Sequence, residues 1–151
     1  MSEKKLLWHD VQSKILMLLM ILFNAFVAIR SLVELFFVEE SRLAIAKVPG
    51  LAAVEIVRDV ILLYLCWHCW EARHALIHRE KNALHELHDV YVFDMALIVA
   101  YTIALNLVLQ NGPTAYETEL IELIELALYL VLLFVNDRYY KGKESMFAGE
   151  E

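Results

Sequence analysis

Four long apolar blocks, each interrupted by a few polar side chains, dominate the pattern of this chain. They cover residues 15–38, 51–77, 90–110 and 115–136. A helix needs about 20 residues to cross the hydrocarbon layer of a bilayer, and each block reaches that length. The pattern therefore predicts an all-α fold: an integral membrane four-helix bundle, with residues 1–151 forming a single transmembrane domain.

Turn-forming residues separate these blocks. Pro49–Gly50 precedes the second block, and Asn111–Gly112–Pro113 precedes the fourth. Thr114 and Glu117 then form a T-x-x-E pattern, which predicts a capping box at the start of the fourth helix. No glycine or proline lies between the second block and Asn111, so we expect the second helix to continue past the bilayer as a polar extension.

Basic residues are distributed unequally among the connections. They precede the first block, lie between the second and third, and follow the fourth, whereas the connection after the third block has none. The clustered residues are Lys4, Lys5, Lys14, Arg73, Arg79, Lys81, Arg138, Lys141 and Lys143. Because basic loops stay on the cytoplasmic side, both termini are predicted to be cytoplasmic. The expected location is a prokaryotic cell membrane.

The composition agrees with a membrane protein. The hydrophobic fraction is 60% and the mean hydropathy is +0.54, against roughly 45–50% apolar residues in soluble domains. A net charge of −7 argues against nucleic acid as a partner. The expected partners are the lipid bilayer and other membrane subunits or a second copy of the chain. A soluble bundle stays open as an alternative, because charges interrupt the blocks.

Charged side chains inside the blocks fall at one predicted depth. At 1.5 Å per residue, the charges on the first, second and fourth helices lie about 9–14 Å from the outer helix ends. Isolated charges are costly in lipid, so we expect them to face the bundle interior and pair with each other. The predicted buried network comprises Arg30, Glu34, Arg58, Asp59, Glu122 and Glu125.

This charge layer has a second interpretation, as part of an ion or proton pathway. A buried ion-pair network that fixes helix association is the simpler interpretation, because acids and bases nearly balance. Asp94 and Asn24 are the only deep polar groups that the pattern predicts toward the inner side, so no continuous polar track is visible.

Alanine recurs at every fourth position of the third helix, at Ala96, Ala100 and Ala104. Such a stripe of small residues lets another helix approach closely. The loops are short and no complete set of catalytic residues is visible. The sequence therefore favours a non-catalytic membrane protein, an accessory or stabilising subunit that packs against other membrane subunits, over an enzyme.

Histidines concentrate in the stretch Leu65–Asp89, which holds five of the six. If the helix is continuous there, His74, His78, His85 and His88 share one stripe; if the chain turns near residues 81–85, they come from two antiparallel helix ends. Both geometries gather imidazoles that suit zinc or copper. Oxygen ligands would come from Glu71, Glu86 or Asp89. The alternative function is therefore a metal-handling or redox membrane protein.

Two further interpretations of this stretch are weaker. Cys66 and Cys69 form a C-x-x-C pair, but a disulfide-exchanging membrane enzyme needs a second thiol pair, which the chain lacks. We interpret both cysteines as small buried residues. Haem is not expected, because no glycine in the spans makes room for a porphyrin and the first and fourth helices carry no deep histidine. An amphipathic segment with imidazoles at the headgroup layer also stays open.

The C-terminal half resembles a known family. The runs "ELHDVYVFDMALIVAYTIALNLVLQ" and "LIELALYLVLLFVNDRYYKGK", joined by a short outer turn, resemble the phosphate-starvation-inducible E (PsiE-like) family of small membrane proteins. The resemblance implies four spans, both ends inside and a polar connection between spans two and three. It implies a fold more than an activity. The arginine that often follows the alanine-rich part of helix three is replaced here by Tyr101–Thr102.

Overall fold

Helices form the described structure throughout. The computed structural model describes residues 7–109 and 115–147, with side chains described from residue 120 onward in the second segment. The helices are α1 (Leu7–Phe37), α2 (Glu39–Ala46), α3 (Leu51–His78), α4 (Ala83–Leu109) and α5 (Ala115–Tyr140), followed by a 3-10 turn at Glu144–Phe147. No strand occurs in these two segments, and the all-α prediction is confirmed. The predicted capping box of Thr114 and Glu117 lies outside the described side chains.

Two of the helices, α1 and α4, are long and apolar enough to cross a membrane. Helices α3 and α5 are comparable in length, with 28 and 26 residues, but carry more charge within their apolar runs. The second predicted block, for example, contains Glu55, Arg58 and Asp59 within five positions. The chain is therefore an all-α protein with two candidate membrane-spanning helices.

The observed helices extend beyond the apolar blocks. Helix α1 begins eight residues before its block, and α4 begins at Ala83 instead of residue 90. The apolar pattern reports burial or lipid contact, whereas helical hydrogen bonding continues through polar residues. The short helix α2 was not predicted. It begins after Val38, whose extended backbone (φ −98°, ψ 107°) separates it from α1. The two glutamates in its first turn stabilise it, because negative charge interacts favourably with the N-terminal end of the helix dipole.

The connection between α3 and α4 is tighter than predicted. Helix α3 ends at His78, and Arg79 adopts a left-handed backbone with φ 54°. The amide of Glu80 donates to the carbonyl of Ala75 at 2.9 Å, which closes the helix end in the manner of a Schellman motif. Helix α4 then begins after Asn82. The continuous-helix geometry is therefore wrong, and the geometry with two antiparallel helix ends is the observed one.

Helix α3 lies at the centre of the bundle. It packs along both α1 and α4, and α5 packs mainly along α4. The core between them is apolar, with fully buried Met17, Leu65, Leu76 and Val90. We call the end of the bundle where α1 finishes the Phe37 end, and the opposite end, which holds Trp8 and the α3–α4 turn, the Trp8 end.

The outside of the bundle is apolar as well. Large side chains such as Phe26, Leu107 and Phe134 are 63%, 74% and 72% exposed. Exposed large apolar side chains occur on each long helix, and such exposure indicates contact with lipid or with another protein. After α5, the amide of Gly142 donates to the carboxylate of Glu144, and backbone hydrogen bonding lowers the pKa of that carboxyl.

Candidate functional site

The polar side chains inside the bundle form three groups along its length. We call them the ionic cluster (Glu55, Arg58, Asp59 and Tyr101), the acid cavity (Asn24, Asp94, Glu122, Glu125 and Tyr129) and the neutral polar layer (Trp8, His9, Gln12, Tyr91, Asn136 and Tyr140). The ionic cluster lies toward the Phe37 end and the neutral polar layer toward the Trp8 end.

The ionic cluster centres on the Arg58 guanidinium. Its Nη2 lies 2.8 Å from Glu55 Oε2 and 2.9 Å from Asp59 Oδ1, because positions 55, 58 and 59 share one face of α3. Its Nη1 donates to the Tyr101 hydroxyl on α4 at 2.8 Å, and that hydroxyl donates to Glu55 at 2.8 Å. Arg58 is 17% exposed and Asp59 fully buried. The Arg58 cation is therefore paired with carboxylates of its own helix, and its contact with Tyr101 connects α3 to α4.

The acid cavity lies beside this cluster, between α1, α3, α4 and α5. It has a volume of about 230 Å³, enough for several water molecules. Asp94 and Glu125 line it together with Asn24, and Arg58 is the one cationic side chain among its described lining residues. Glu122 reaches the Thr102 hydroxyl of α4.

Asp94 is the most buried acid of this cavity. Its side chain is 2% exposed and its Oδ2 has no hydrogen-bond partner. The Tyr129 hydroxyl lies beside Asp94 and 3.4 Å from Glu125 Oε1, so it stands between the two carboxyls. The Asn24 side chain also lies beside Asp94 and interacts with its carboxyl, although its Nδ2 makes no hydrogen bond of ordinary length and angle. Buried polar atoms of this kind are costly unless water or a ligand satisfies them.

The neutral polar layer joins α1 to α4 and α5 without a formal charge pair. Gln12 Nε2 donates to the Tyr91 hydroxyl at 2.7 Å, and Trp8 Nε1 donates to Asn136 Oδ1 at 2.8 Å. His9 Nδ1 lies 3.1 Å from the Tyr140 hydroxyl. Helix α1 has a π-helical segment at Val11–Leu16, and π turns are enriched at functional sites.

Sequence reasoning found part of this interior. It found Arg58, Asp59, Glu122 and Glu125, and the structure brings all four to the ionic cluster and the acid cavity. It noted Asp94 and Asn24. It missed the neutral polar layer, so Asp94 and Asn24 are not the only deep polar groups toward the Trp8 end. Gln12 precedes the first apolar block, and Tyr91 and Asn136 lie at the edges of the third and fourth blocks. The partners of Arg58 on α3 were visible as an i, i+3 spacing to Glu55.

The prediction of burial is wrong for Arg30. Arg30 and Glu34 do pair, with Nε 2.8 Å from Oε1, but the side chains are 65% and 42% exposed. Arg30 follows the buried Ala28 by two positions, which is about 200° around a helix, so it points away from the bundle core. It lines a groove of about 310 Å³ on the bundle surface, together with Phe26, Ser31 and two members of the ionic cluster, Glu55 and Arg58.

The predicted packing stripe of α4 also faces outward. Ala96 and Ala100 are exposed and Ala104 is half-buried. The helix packs against α3 and α5 through other positions, among them Tyr91 and Ile98. The small residues are therefore available to a helix that is not part of this chain.

The histidine stretch forms pairs at the Trp8 end. The rings of His74 and His78 lie 4.2 Å apart at the end of α3, and His74 Nδ1 lies 3.3 Å from Glu80. At the start of α4, His85 and His88 lie 3.2 and 3.8 Å from Asp89.

Metal ligation by these pairs stays a prediction. His68 Nε2 contacts Glu86 at 3.2 Å, so one predicted oxygen ligand is already bonded to a different imidazole. Within residues 7–109 and 115–147, no three side chains of His, Cys, Asp or Glu come together in a way that could hold a metal ion. Cys66 and Cys69 are free thiols on α3, the second of them buried.

Comparison with known proteins returned no relative: no protein-family model, curated protein or solved structure matches this chain. The assignment of a function therefore depends on the interior and surface chemistry described above.

Proposed function

We propose that this chain is a four-span integral membrane protein with both termini in the cytoplasm. In this proposal it is a non-catalytic accessory or stabilising subunit that packs against other membrane subunits in a larger complex. The single observation that carries the proposal is the Arg30–Glu34 ion pair on the apolar outside of the bundle.

Four spans are supported by the lengths and faces of the helices. At 1.5 Å per residue, α3 and α5 are about 40 Å long, more than the roughly 30 Å of a hydrocarbon core. The charges of α3 that would oppose insertion face inward, since Glu55, Arg58 and Asp59 are 0–17% exposed. The outward-facing positions of α3 are hydrophobic, as at Val57 and Tyr64.

The orientation is supported by the basic residues at the Trp8 end. Arg79 and Lys81 lie in the α3–α4 turn, and Lys141 and Lys143 follow α5. The positive-inside rule assigns this end to the cytoplasm, and a prokaryotic cell membrane is the proposed location. The PsiE-like resemblance has the same arrangement and stays a hypothesis about ancestry.

A partner is supported by the place of the Arg30–Glu34 pair. Arg30 lies about 10 Å from the Phe37 end of α1, inside the proposed span. An ion pair facing hydrocarbon at that depth is costly, whereas polar groups of an adjoining protein would solvate it. The groove beside it also contains Ser31 and reaches Glu55 and Arg58 of the ionic cluster, so a partner in the groove would meet polar groups from both α1 and α3. The occupant we propose is therefore another integral membrane protein with polar or charged groups at this depth.

The exposed alanine stripe gives a second place for close helix contact. Ala96 and Ala100 lie on the outside of α4, where small side chains let two backbones approach. The metal-handling alternative receives less support, because the histidines form separate pairs at the Trp8 end.

The proposal is tested by photo-crosslinking in the native membrane. A photoreactive residue at Phe26, which is 63% exposed beside Arg30, should crosslink this chain to a different membrane protein. The same residue at Phe134, which is 72% exposed on α5, is the matched control and should give mainly lipid adducts. The products are identified by mass spectrometry.

A captured protein supports the proposal only if the ion pair is needed for its capture. The double variant R30L/E34L should abolish the product from Phe26, whereas D10N/K14Q, which neutralises the other exposed i, i+4 pair of α1, should retain it. A product that contains two copies of this chain, or lipid adducts alone from Phe26, would contradict the accessory-subunit proposal.

A further inference from the structure

The acid cavity has features that packing does not explain. It brings Asp94 and Glu125 to one half-open pocket, and the Arg58 guanidinium that borders it is already held by Glu55 and Asp59. A structural network would pair each acid with a base. We propose that Asp94 is a reversible proton-binding site inside the bundle, loaded from this cavity through Glu125 and Tyr129.

An unpartnered amide gives the independent indication that the cavity binds something. Asn24 belongs to α1, is 2% exposed, lines the cavity, and its Nδ2 has no hydrogen-bond partner. Buried amide donors are nearly always bonded to protein or to water. Asn24 Nδ2 and Asp94 Oδ2 lie close together, and each lacks an ordinary hydrogen bond to protein. They therefore mark a place where water or a bound species completes the hydrogen bonds.

The chemistry fits a proton better than a metal ion. A metal cation needs several oxygen ligands at fixed distances, and the described part of the chain has no group of three suitable side chains. A proton needs one carboxyl oxygen, and Asp94 Oδ2 is unbonded. Water in the cavity can deliver the proton, since about 230 Å³ holds several molecules.

The two neighbours of the Tyr129 hydroxyl give the route. Glu125 lines the cavity, the Tyr129 hydroxyl lies 3.4 Å from Glu125 Oε1, and the same hydroxyl lies beside Asp94. A proton on Glu125 passes to the phenol oxygen as the phenol proton passes to Asp94, so Tyr129 ends unchanged. The carboxylate of Asp94 becomes a neutral acid, and Glu125 becomes a carboxylate.

Groups from each packed helix surround Asp94 and set its titration. Helix α3 contributes Cys66, Cys69 and, at the cavity wall, Arg58. Helix α5 contributes Glu122, Glu125 and Tyr129, and α4 itself contributes Tyr91. Helix α1 presents Asn24, which does not titrate. Arg58 is the one permanent cation among these groups, and its pairing with Glu55 and Asp59 leaves Asp94 to respond to protons.

The test is a pH titration of the full chain in lipid vesicles, followed by infrared spectroscopy of the protonated carboxyl. The wild type should show a carboxyl carbonyl band that grows and disappears reversibly with pH. The isosteric variant D94N should lose that band. The matched control is D89N, the same substitution on the same helix at a carboxyl that is 41% exposed, and it should keep the band.

Two further variants complete the test. Variant E125Q should keep the band and move its pH midpoint, because it removes the charge of an acid that lines the same cavity and bonds to Tyr129. If D94N does not fold, as judged by circular dichroism, D94E replaces it and should show the same band with a displaced midpoint. A wild type without a titrating carboxyl band, a band that persists in folded D94N, or a midpoint that neither E125Q nor D94E moves would overturn the proposal.

Discussion

The ionic cluster and the neutral polar layer connect neighbouring helices through different kinds of polar interaction. Both bury polar side chains between helices, but the first uses a guanidinium with two carboxylates and the second uses amides, an indole and phenols. In the ionic cluster, each hydrogen-bonding partner carries charge or bonds to it. In the neutral polar layer, Gln12 Nε2 and the Tyr91 hydroxyl bond without any formal charge, while Gln12 Oε1 has no partner among the described residues.

The difference indicates at which end the stability of the bundle requires every buried polar group to keep its partner. A buried charge that loses its partner has a large desolvation penalty, whereas a neutral pair can be replaced by two apolar groups of similar shape at little cost. We therefore expect the Phe37 end to be sensitive to single substitutions, and the Trp8 end to tolerate matched double substitutions.

The largest effect is expected for Arg58→Ala. The change leaves the Glu55 and Asp59 carboxylates without their cation, and breaking a buried pair in this way costs about 3–5 kcal/mol. Thermal unfolding in detergent measures the loss. The neutral triple variant E55Q/R58M/D59N should recover most of the stability. A wild-type melting temperature for R58A would contradict a buried network.

The second effect is expected for Tyr101→Phe. The lost hydroxyl accepts from Arg58 and donates to Glu55, so two charged groups lose a hydrogen bond, which costs about 1–3 kcal/mol. The same melting experiment tests it. Tyr64→Phe is the control, because Tyr64 is 57% exposed on the outside of α3, and it should leave the melting temperature unchanged.

A smaller effect is expected for Tyr91→Phe in the neutral polar layer. Gln12 Nε2 loses its acceptor, at a cost of about 1 kcal/mol. The double variant Q12L/Y91F should be no less stable than Y91F alone, since both polar partners are then removed together. If the two substitutions destabilise the protein additively in chemical unfolding, the neutral polar layer does not tolerate matched double substitutions better than the ionic cluster does.

The smallest effect, and the one stabilising change, is expected for Arg79→Gly outside both layers. Arg79 holds φ 54°, which glycine adopts without the steric cost of a Cβ atom. The gain should be at most about 1 kcal/mol, as a small rise in melting temperature. A lower melting temperature would show that the Arg79 side chain stabilises the α3–α4 turn.

The sequence predicted the fold and the charged interior where the apolar pattern and helix geometry determine a residue's position. Apolar blocks located the four long helices, and the positions of Arg58, Asp59, Glu122 and Glu125 along their helices indicated one charged layer, because the rise per residue fixes depth. It could not tell which way Arg30 faces, since that depends on how α1 rotates against α3. The turn at Arg79 was also hidden, because a non-glycine residue holds the left-handed conformation.

Labelling of single cysteines tests the proposed four-span topology most directly. On a background with Cys66 and Cys69 replaced by alanine, K47C lies before α3 and K81C in the α3–α4 turn. A membrane-impermeant thiol reagent should label K47C in intact cells and K81C only after the membrane is permeabilised. Labelling of both positions from the same side would contradict the topology, because α3 would then not cross the membrane.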